Sequence, residues 1–82
     1  PESKFVREGA MGMAKALVRL GRYKEAAQIA DYIDKRWPRY YTEFPQILRI
    51  TGDIAYKNGD FKKARDCYML FYNMEPDAKD AD

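Results

Sequence analysis

Apolar residues recur at intervals of three and four along most of the chain, with charged residues between them. This spacing places the apolar side chains on one side of a helix, and no segment shows the alternation with a period of two that is typical of a half-buried strand. The pattern predicts four helices, at about residues 5–20, 23–37, 43–58 and 61–74. The sequence therefore predicts an all-α fold.

Each predicted helix has one apolar side that we expect to face inward. In the first two helices these sides consist of Val6, Ala10, Met13, Ala14 and Leu17, and of Tyr23, Ala26, Ala27, Ala30, Ile33 and Trp37. In the last two they consist of Phe44, Leu48, Thr51, Gly52 and Ala55, and of Phe61, Ala64, Tyr68, Phe71 and Tyr72. We expect a further aromatic cluster to seal the longest connector, rather than to form a binding patch, and it consists of Trp37, Tyr40, Tyr41 and Phe44.

Glycine and proline mark the predicted helix ends. Gly21 and Gly59 can supply the left-handed residue that ends the first and third helices. Pro38 and Pro76 stop the second and fourth, because proline has no N–H and restricts the residue before it. Asp60 can cap the helix that follows it. The short connectors make consecutive helices antiparallel hairpins, and only the connector at residues 39–42 is longer.

The chain also repeats itself at a shift of 38 residues. A fixed period of this kind is the sequence signature of a repeat architecture. The shift places Leu20-Gly21-Arg22-Tyr23-Lys24-Glu25-Ala26 on Asn58-Gly59-Asp60-Phe61-Lys62-Lys63-Ala64, and Arg36-Trp37-Pro38 on Met74-Glu75-Pro76. The sequence therefore predicts two copies of one helical hairpin.

The recurring positions resemble those of the tetratricopeptide repeat. That family has a small residue where the two helices cross, a turn glycine, an aromatic residue after it, alanine three residues later, and a final proline. The matching residues are Gly52, Gly59, Phe61, Ala64, Tyr68, Phe71 and Pro76 in the second unit, and Ala14, Gly21, Tyr23, Ala26, Ala30, Ile33 and Pro38 in the first. Phe71, Ala30 and Ile33 depart from the usual side-chain sizes. The resemblance implies a single domain over residues 1–82, built as a right-handed superhelix with repeats at about 7–40 and 45–78.

The resemblance also implies a concave groove along the first helix of each unit, which receives a partner peptide or helix. We expect the sides turned away from the partner helix to line it. These sides contain Glu8, Met11, Gly12, Lys15, Arg19, Gln46, Arg49, Asp53, Tyr56 and Lys57. Cations outnumber anions among them, so the expected partner is acidic, with Met11 and Tyr56 as apolar anchors. The alternative is that these are solvated helix sides with local pairs, such as Arg49 with Asp53.

Composition excludes several other classes of function. The 82 residues include no histidine and one cysteine, Cys67, so the common metal ligands and general base are missing and we expect no enzyme activity, metal or cofactor. We expect Cys67 to be a small apolar filler rather than a reactive thiol. The net charge of +2 is weak for a nucleic-acid binder, and no apolar run is long enough to insert into a membrane.

Two alternatives to peptide binding stay open at this stage. An RNA-reading helical repeat shares the hairpin plan but needs polar base-reading residues, whereas Met11 and Arg49 occupy the comparable positions. A self-assembling repeat module is the other, because residues 1–41 carry a net charge of +4 and residues 42–82 carry −2. Leu70 and Met74 are predicted to be exposed and to provide a homo-oligomer contact.

Two repeats are fewer than such stacks normally need, so we expect the chain to be part of a longer array, with residues 76–82 resembling a connector to a third repeat. The lengthened repeat with its Trp37-Pro38 end resembles those of bacterial cell-envelope proteins. This favours the bacterial envelope or periplasm as the compartment, with the cytoplasm as the alternative.

Overall fold

The computed structural model describes residues 4–75, and every regular element within that range is an α-helix. The helices are α1 (Lys4–Arg19), α2 (Tyr23–Arg36), α3 (Tyr40–Glu43), α4 (Gln46–Lys57) and α5 (Phe61–Met74). The predicted all-α class is confirmed. Pro76 and the predicted connector at 76–82 lie outside the described residues.

The helices pack as two pairs that meet at α4. The most extensive contacts are those of α1 with α2 and of α4 with α5, and α4 also touches α2, α3 and α1. Short turns join the members of each pair, so these members run in opposite directions. We refer to residues 4–38 as the first unit and to residues 39–75 as the second unit.

The same turn ends α1 and α4. Gly21 has φ 76° and Gly59 has φ 83°, the left-handed conformation that side chains other than glycine rarely adopt. In each turn the glycine N–H donates to the carbonyl three residues earlier, at 3.0 Å. The next N–H donates to the carbonyl five residues earlier, at 2.8 Å after Gly21 and 2.9 Å after Gly59. This pair of bonds is the Schellman motif, and it satisfies carbonyls that the helix end would otherwise leave open.

Alanine in place of Gly59 is expected to lower the free energy of unfolding by about 1 kcal/mol, because the left-handed φ is strained for alanine. Gly12→Ala provides the matched control. Gly12 lies within α1, and an added Cβ there would meet nothing within 4 Å. That variant should therefore gain about 1 kcal/mol from the helix propensity of alanine. Urea unfolding measures both variants, and equal signs for the two changes would contradict the explanation.

The first residues of α5 are capped and those of α2 are not. The Asp60 side chain accepts a hydrogen bond from the Lys63 N–H at 3.3 Å, as predicted. Arg22 holds the equivalent position without a side-chain cap and instead forms two hydrogen bonds with Glu25, at 2.6 and 2.9 Å.

The connector between the units differs from the prediction. It contains the one-turn helix α3, and α4 begins at Gln46 rather than near residue 43. The cause is Pro45, which stands at the N-terminal end of α4 with φ −58° and ψ −26°. Proline disfavours the helical conformation in the preceding residue, and Phe44 accordingly has φ −138° and ψ 79°. Two helices therefore occupy the region where a loop and a helix start were predicted.

The buried residues form two clusters. The first consists of Met11, Ile33, Tyr40, Ile47, Leu48 and Phe71, and the second consists of Ala14, Ala26, Ala30 and Ile54. The predicted aromatic seal is confirmed as packing: Tyr40 belongs to the first cluster, and Trp37, Tyr41 and Phe44 pack against it.

The inward side of α1 was predicted partly wrongly. Met13 and Val6 are 54% and 45% exposed, whereas Met11 is 5% exposed and belongs to the core. Ala14 is buried as predicted, so the error concerns which flank of the apolar stripe is covered. The second unit covers the flank that contains Met11, through Tyr40 and Ile47, and nothing within residues 4–75 buries the flank of Met13.

Two further predictions of burial need correction. Met74 was expected to be exposed, but it packs against the first cluster, and Leu70 alone of that pair is exposed, at 38%. Phe61 was expected to face inward, but it is 62% exposed and its ring meets Tyr56 edge-on at 5.3 Å. Phe61 therefore contacts α4 through an exposed aromatic pair rather than through a buried side chain.

The second unit is fixed to the first by α4 and by three polar links, one of which is the ion pair of Arg7 with Glu43. Ile47 and Ile54 of α4 are buried, although neither was predicted to face inward. Ile54 clusters with alanines of the first unit, and Ile47 belongs to the cluster that combines residues of both units. The Asn58 side chain donates to the Tyr23 carbonyl at 2.9 Å. Lys63 pairs with Asp31 at 3.2 Å.

Candidate interaction groove

Two adjoining concavities follow α1 on the side away from α2. The first, of about 440 Å³, is lined by Arg7, Glu8, Met11, Gly12, Lys15, Tyr40, Glu43 and Phe44. The second, of about 200 Å³, lies between α1 and α4 and is lined by Lys15, Val18, Arg19, Ile50 and Asp53. Because Lys15 borders both, we treat them as one surface and call it the α1 groove.

Arg7 closes one end of the α1 groove. Its Nη2 lies 3.2 Å from Oε2 of Glu43, and its guanidinium carbon lies 4.1 Å from the centre of the Tyr40 ring. Its Nε is buried and has no hydrogen-bond partner among the described residues. The charge of Arg7 is thus balanced by Glu43 and covered by an aromatic ring, so this end of the groove is a wall rather than an open cation.

The far end of the groove, between α1 and α4, carries two cations and one carboxylate, that of Asp53. Lys15 and Arg19 are exposed, one turn apart on α1, and neither forms an ion pair with another residue of the described range. Half-buried Val18 and Ile50 lie between the polar side chains and provide an apolar floor. This arrangement can attract an anionic group and bury apolar surface beside it.

Asp53 is engaged on the side of the groove that faces α5. The Tyr68 hydroxyl donates a hydrogen bond to Oδ1 of Asp53. Burial, and then the bond to Asp53, raise the pKa of Tyr68, while Arg49 acts in the opposite direction. Tyr68 therefore keeps its proton at neutral pH and continues to donate. Part of the negative charge of Asp53 is directed at Tyr68 instead of at a ligand.

The structure brings together only some of the predicted groove residues. Five of them line the α1 groove, namely Glu8, Gly12, Lys15, Arg19 and Asp53. Met11 also lines it, but as part of the core floor rather than as an exposed anchor.

The predicted groove residues of α4 are more dispersed. Gln46 and Arg49 are exposed on α4 and do not line the groove. Tyr56 is 56% exposed beside Phe61. Lys57 lies near the turns, with its Nζ 5.8 Å from the centre of the Tyr23 ring. The second apolar anchor, Tyr56, is therefore outside the α1 groove.

Sequence reasoning missed the residues that form the closed end of the groove. Tyr40, Glu43 and Phe44 belong to α3 and the residue after it, and α3 was not predicted. The available signal was Pro45, which restricts Phe44 and so separates a short helix from α4.

Cys67 has the features of a packed side chain. It is half-buried in α5, and burial raises the pKa of its thiol, with Lys63 acting in the opposite direction. The neighbouring lysine therefore does not produce the lowered pKa that a reactive cysteine requires.

Two features typical of other functions are absent from the described residues. Within residues 4–75 there is no group of three or more histidine, cysteine, aspartate or glutamate side chains placed to hold a metal ion. No helix in the described part of the chain has the length and apolar character needed to cross a membrane.

A scan of protein-family models, a search of curated proteins and a search of solved structures each found no match to this chain. A functional assignment must therefore come from the geometry of the groove and from the internal repeat.

Proposed function

We propose that the chain is a non-catalytic protein-interaction module of the tetratricopeptide-repeat type, and that it binds an acidic peptide or helix in the α1 groove. The observation that carries this proposal is the pair Lys15 and Arg19, which have no partner in the described residues and stand beside an apolar floor in a concave surface. A scaffold of this kind needs no catalytic group.

The repeat-like packing supports the architectural part of the proposal. Both units end their first helix with the same glycine turn. The small residues at four of the matched repeat positions, Ala14, Ala26, Gly52 and Ala64, are all buried. In addition α4 packs on both helices of the first unit, which is how stacked hairpins continue a superhelix.

The shape of the groove favours a segment rather than a small molecule. The two concavities are open to solvent and lie end to end beside a helix of 16 residues. An extended or helical peptide can follow such a surface, with acidic side chains near Lys15 and Arg19 and apolar side chains on Val18 and Ile50. The fixed pair of Arg7 and Glu43 limits how far the segment extends toward the start of α1.

Peptide arrays test this proposal. The probes are short peptides in which acidic and apolar residues alternate, together with matched peptides in which basic residues replace the acidic ones. We expect the chain to prefer the acidic set, with affinity that falls as salt is added. The variant Lys15→Glu/Arg19→Glu should bind the acidic set about tenfold more weakly.

The control for that experiment is Lys24→Glu/Lys35→Glu, which changes the net charge equally at exposed positions of α2. It should retain most of the affinity. Equal losses in the two variants, or a preference for the basic peptides, would contradict the groove assignment. Tight, salt-sensitive binding of single-stranded RNA, without binding of any peptide, would support an RNA-binding helical repeat instead.

A further inference from the structure

One side of α1 is apolar and exposed. Its residues follow each other at intervals of one, three and four, and none carries a charge. They are Phe5, Val6, Gly9, Met13, Ala16 and Leu20, and we call them the α1 face. Phe5 and Leu20 are 84% and 68% exposed. This surface is separate from the α1 groove, which lies on another side of the same helix.

The internal repeat shows how the equivalent surface of the second unit packs. A shift of 38 residues carries Gly9, Met13, Ala16 and Leu20 onto Ile47, Thr51, Ile54 and Asn58. In the second unit these residues face the first unit. Ile54 clusters with Ala26 and Ala30 of α2, and Asn58 donates to the Tyr23 carbonyl. The α1 face is therefore the repeat-equivalent of the surface by which α4 packs on α2.

The receiving surface of α2 has a repeat-equivalent at the other end of the molecule. Tyr23, Ala27, Ala30, Asp31 and Asp34 of α2 correspond to Phe61, Arg65, Tyr68, Met69 and Tyr72 of α5. We call the latter set the α5 face. Phe61 and Met69 are 62% and 58% exposed. Of the nine large apolar side chains that are exposed within residues 5–75, six lie on the α1 and α5 faces.

The two faces are complementary in size. In the internal contact, the large Ile54 of α4 fills space beside the alanines of α2. On the α1 and α5 faces the sizes are exchanged at this position, because Ala16 of α1 corresponds to Ile54 and Tyr68 of α5 corresponds to Ala30. Small residues on one helix allow a close approach by large side chains of another.

Charge does not oppose this pairing. Arg65 is the charged residue of the α5 face, and it already lies 3.8 Å from Asp66. The α1 face presents no cation to repel it. Leu20 would stand opposite Phe61, just as Asn58 stands opposite Tyr23 within one chain, so the exposed apolar residues at these two positions would cover each other.

We propose that the α1 face of one chain binds the α5 face of a second copy, head to tail, in the geometry of the internal contact between α4 and α2. Because the two surfaces differ, each added copy leaves one of each kind free, and association continues beyond the dimer. This inference is independent of peptide binding in the α1 groove.

Sedimentation of two complementary variants tests the proposal. Met13→Glu disables the α1 face, and Met69→Glu disables the α5 face. The unmodified chain should show an average mass that rises past the dimer with concentration, and each variant alone should be a monomer. An equimolar mixture of the variants should form a dimer and nothing larger, since one intact face of each kind remains. Gln28→Glu, an exposed change on α2 away from both faces, should associate like the unmodified chain.

Circular dichroism verifies that each variant is folded, which both should be because the replaced side chains are exposed. An unmodified chain that stays monomeric up to about 1 mM would overturn the proposal. So would dimers of Met69→Glu alone, which would indicate a symmetric contact between two α1 faces. Association that weakens steeply with salt would favour a contact driven by the opposite charges of the two halves instead. The groove variant Lys15→Glu/Arg19→Glu should associate normally.

Discussion

Replacing Ile54 by alanine is expected to lower the free energy of unfolding by about 2–5 kcal/mol. Ile54 is 2% exposed and lies among Ala14, Ala26 and Ala30. Alanines have no flexible side chain that could move into the space left by the lost methylene and methyl groups, so the cavity would persist. A domain of this size has a total stability of only about 5 kcal/mol, so this single change should remove a large share of it. Urea denaturation followed by circular dichroism measures it.

A graded series separates the cavity from other effects. Ile54→Val removes less volume and should lose about 1 kcal/mol. Ile50→Ala makes the same chemical change at a half-buried position four residues earlier on α4, and it should lose less than Ile54→Ala. If Ile50→Ala proved as harmful as Ile54→Ala, the packing between the two units would not depend on Ile54 in the way the structure indicates.

Replacing Gly52 by alanine is expected to lower the free energy of unfolding by about 1–3 kcal/mol, although alanine favours a helix by about 1 kcal/mol over glycine. An added Cβ would lie 2.7 Å from Cε1 of Tyr68, closer than carbon atoms approach in folded proteins. The ring cannot move away without cost, because its hydroxyl is bonded to Asp53 and its edge packs on α4.

A double-mutant cycle with Tyr68 provides the control. In a Tyr68→Ala background the obstructing ring is gone, so Gly52→Ala should be neutral or stabilising. The sign of the Gly52 effect should therefore depend on residue 68. A loss of stability in both backgrounds would mean that something other than the ring contact makes alanine unfavourable there.

The parts of the fold that the sequence predicted well are those set by local chemistry. Gly21, Gly59 and Asp60 act on their own turns and caps, so the helix ends near them are where the sequence placed them. The burial of Met11 instead of Met13 could not be predicted from the pattern of one helix. Both flank the same apolar stripe, and the choice depends on α3 and α4, which approach from far along the chain.

The candidate groove was predictable to a similar extent. Lys15, Arg19 and Asp53 were found because they lie on the helix sides turned away from the partner helix. Tyr56 lies outside the α1 groove, and the helix side alone does not tell how far along α4 the concavity extends. Arg7 was missed because its surroundings are supplied by Tyr40 and Glu43, which belong to a helix that the apolar pattern did not reveal.

The position of α4 has a consequence for how the molecule comes apart. This helix touches every other helix of the described range. Its buried Ile54 packs on the first unit, and its Gly52 lies against Tyr68 of α5. Neither sequence repeat has a complete interior of its own. Cleavage in the connector would therefore not release two stable halves. The smallest part of the chain that folds cooperatively is larger than a single repeat.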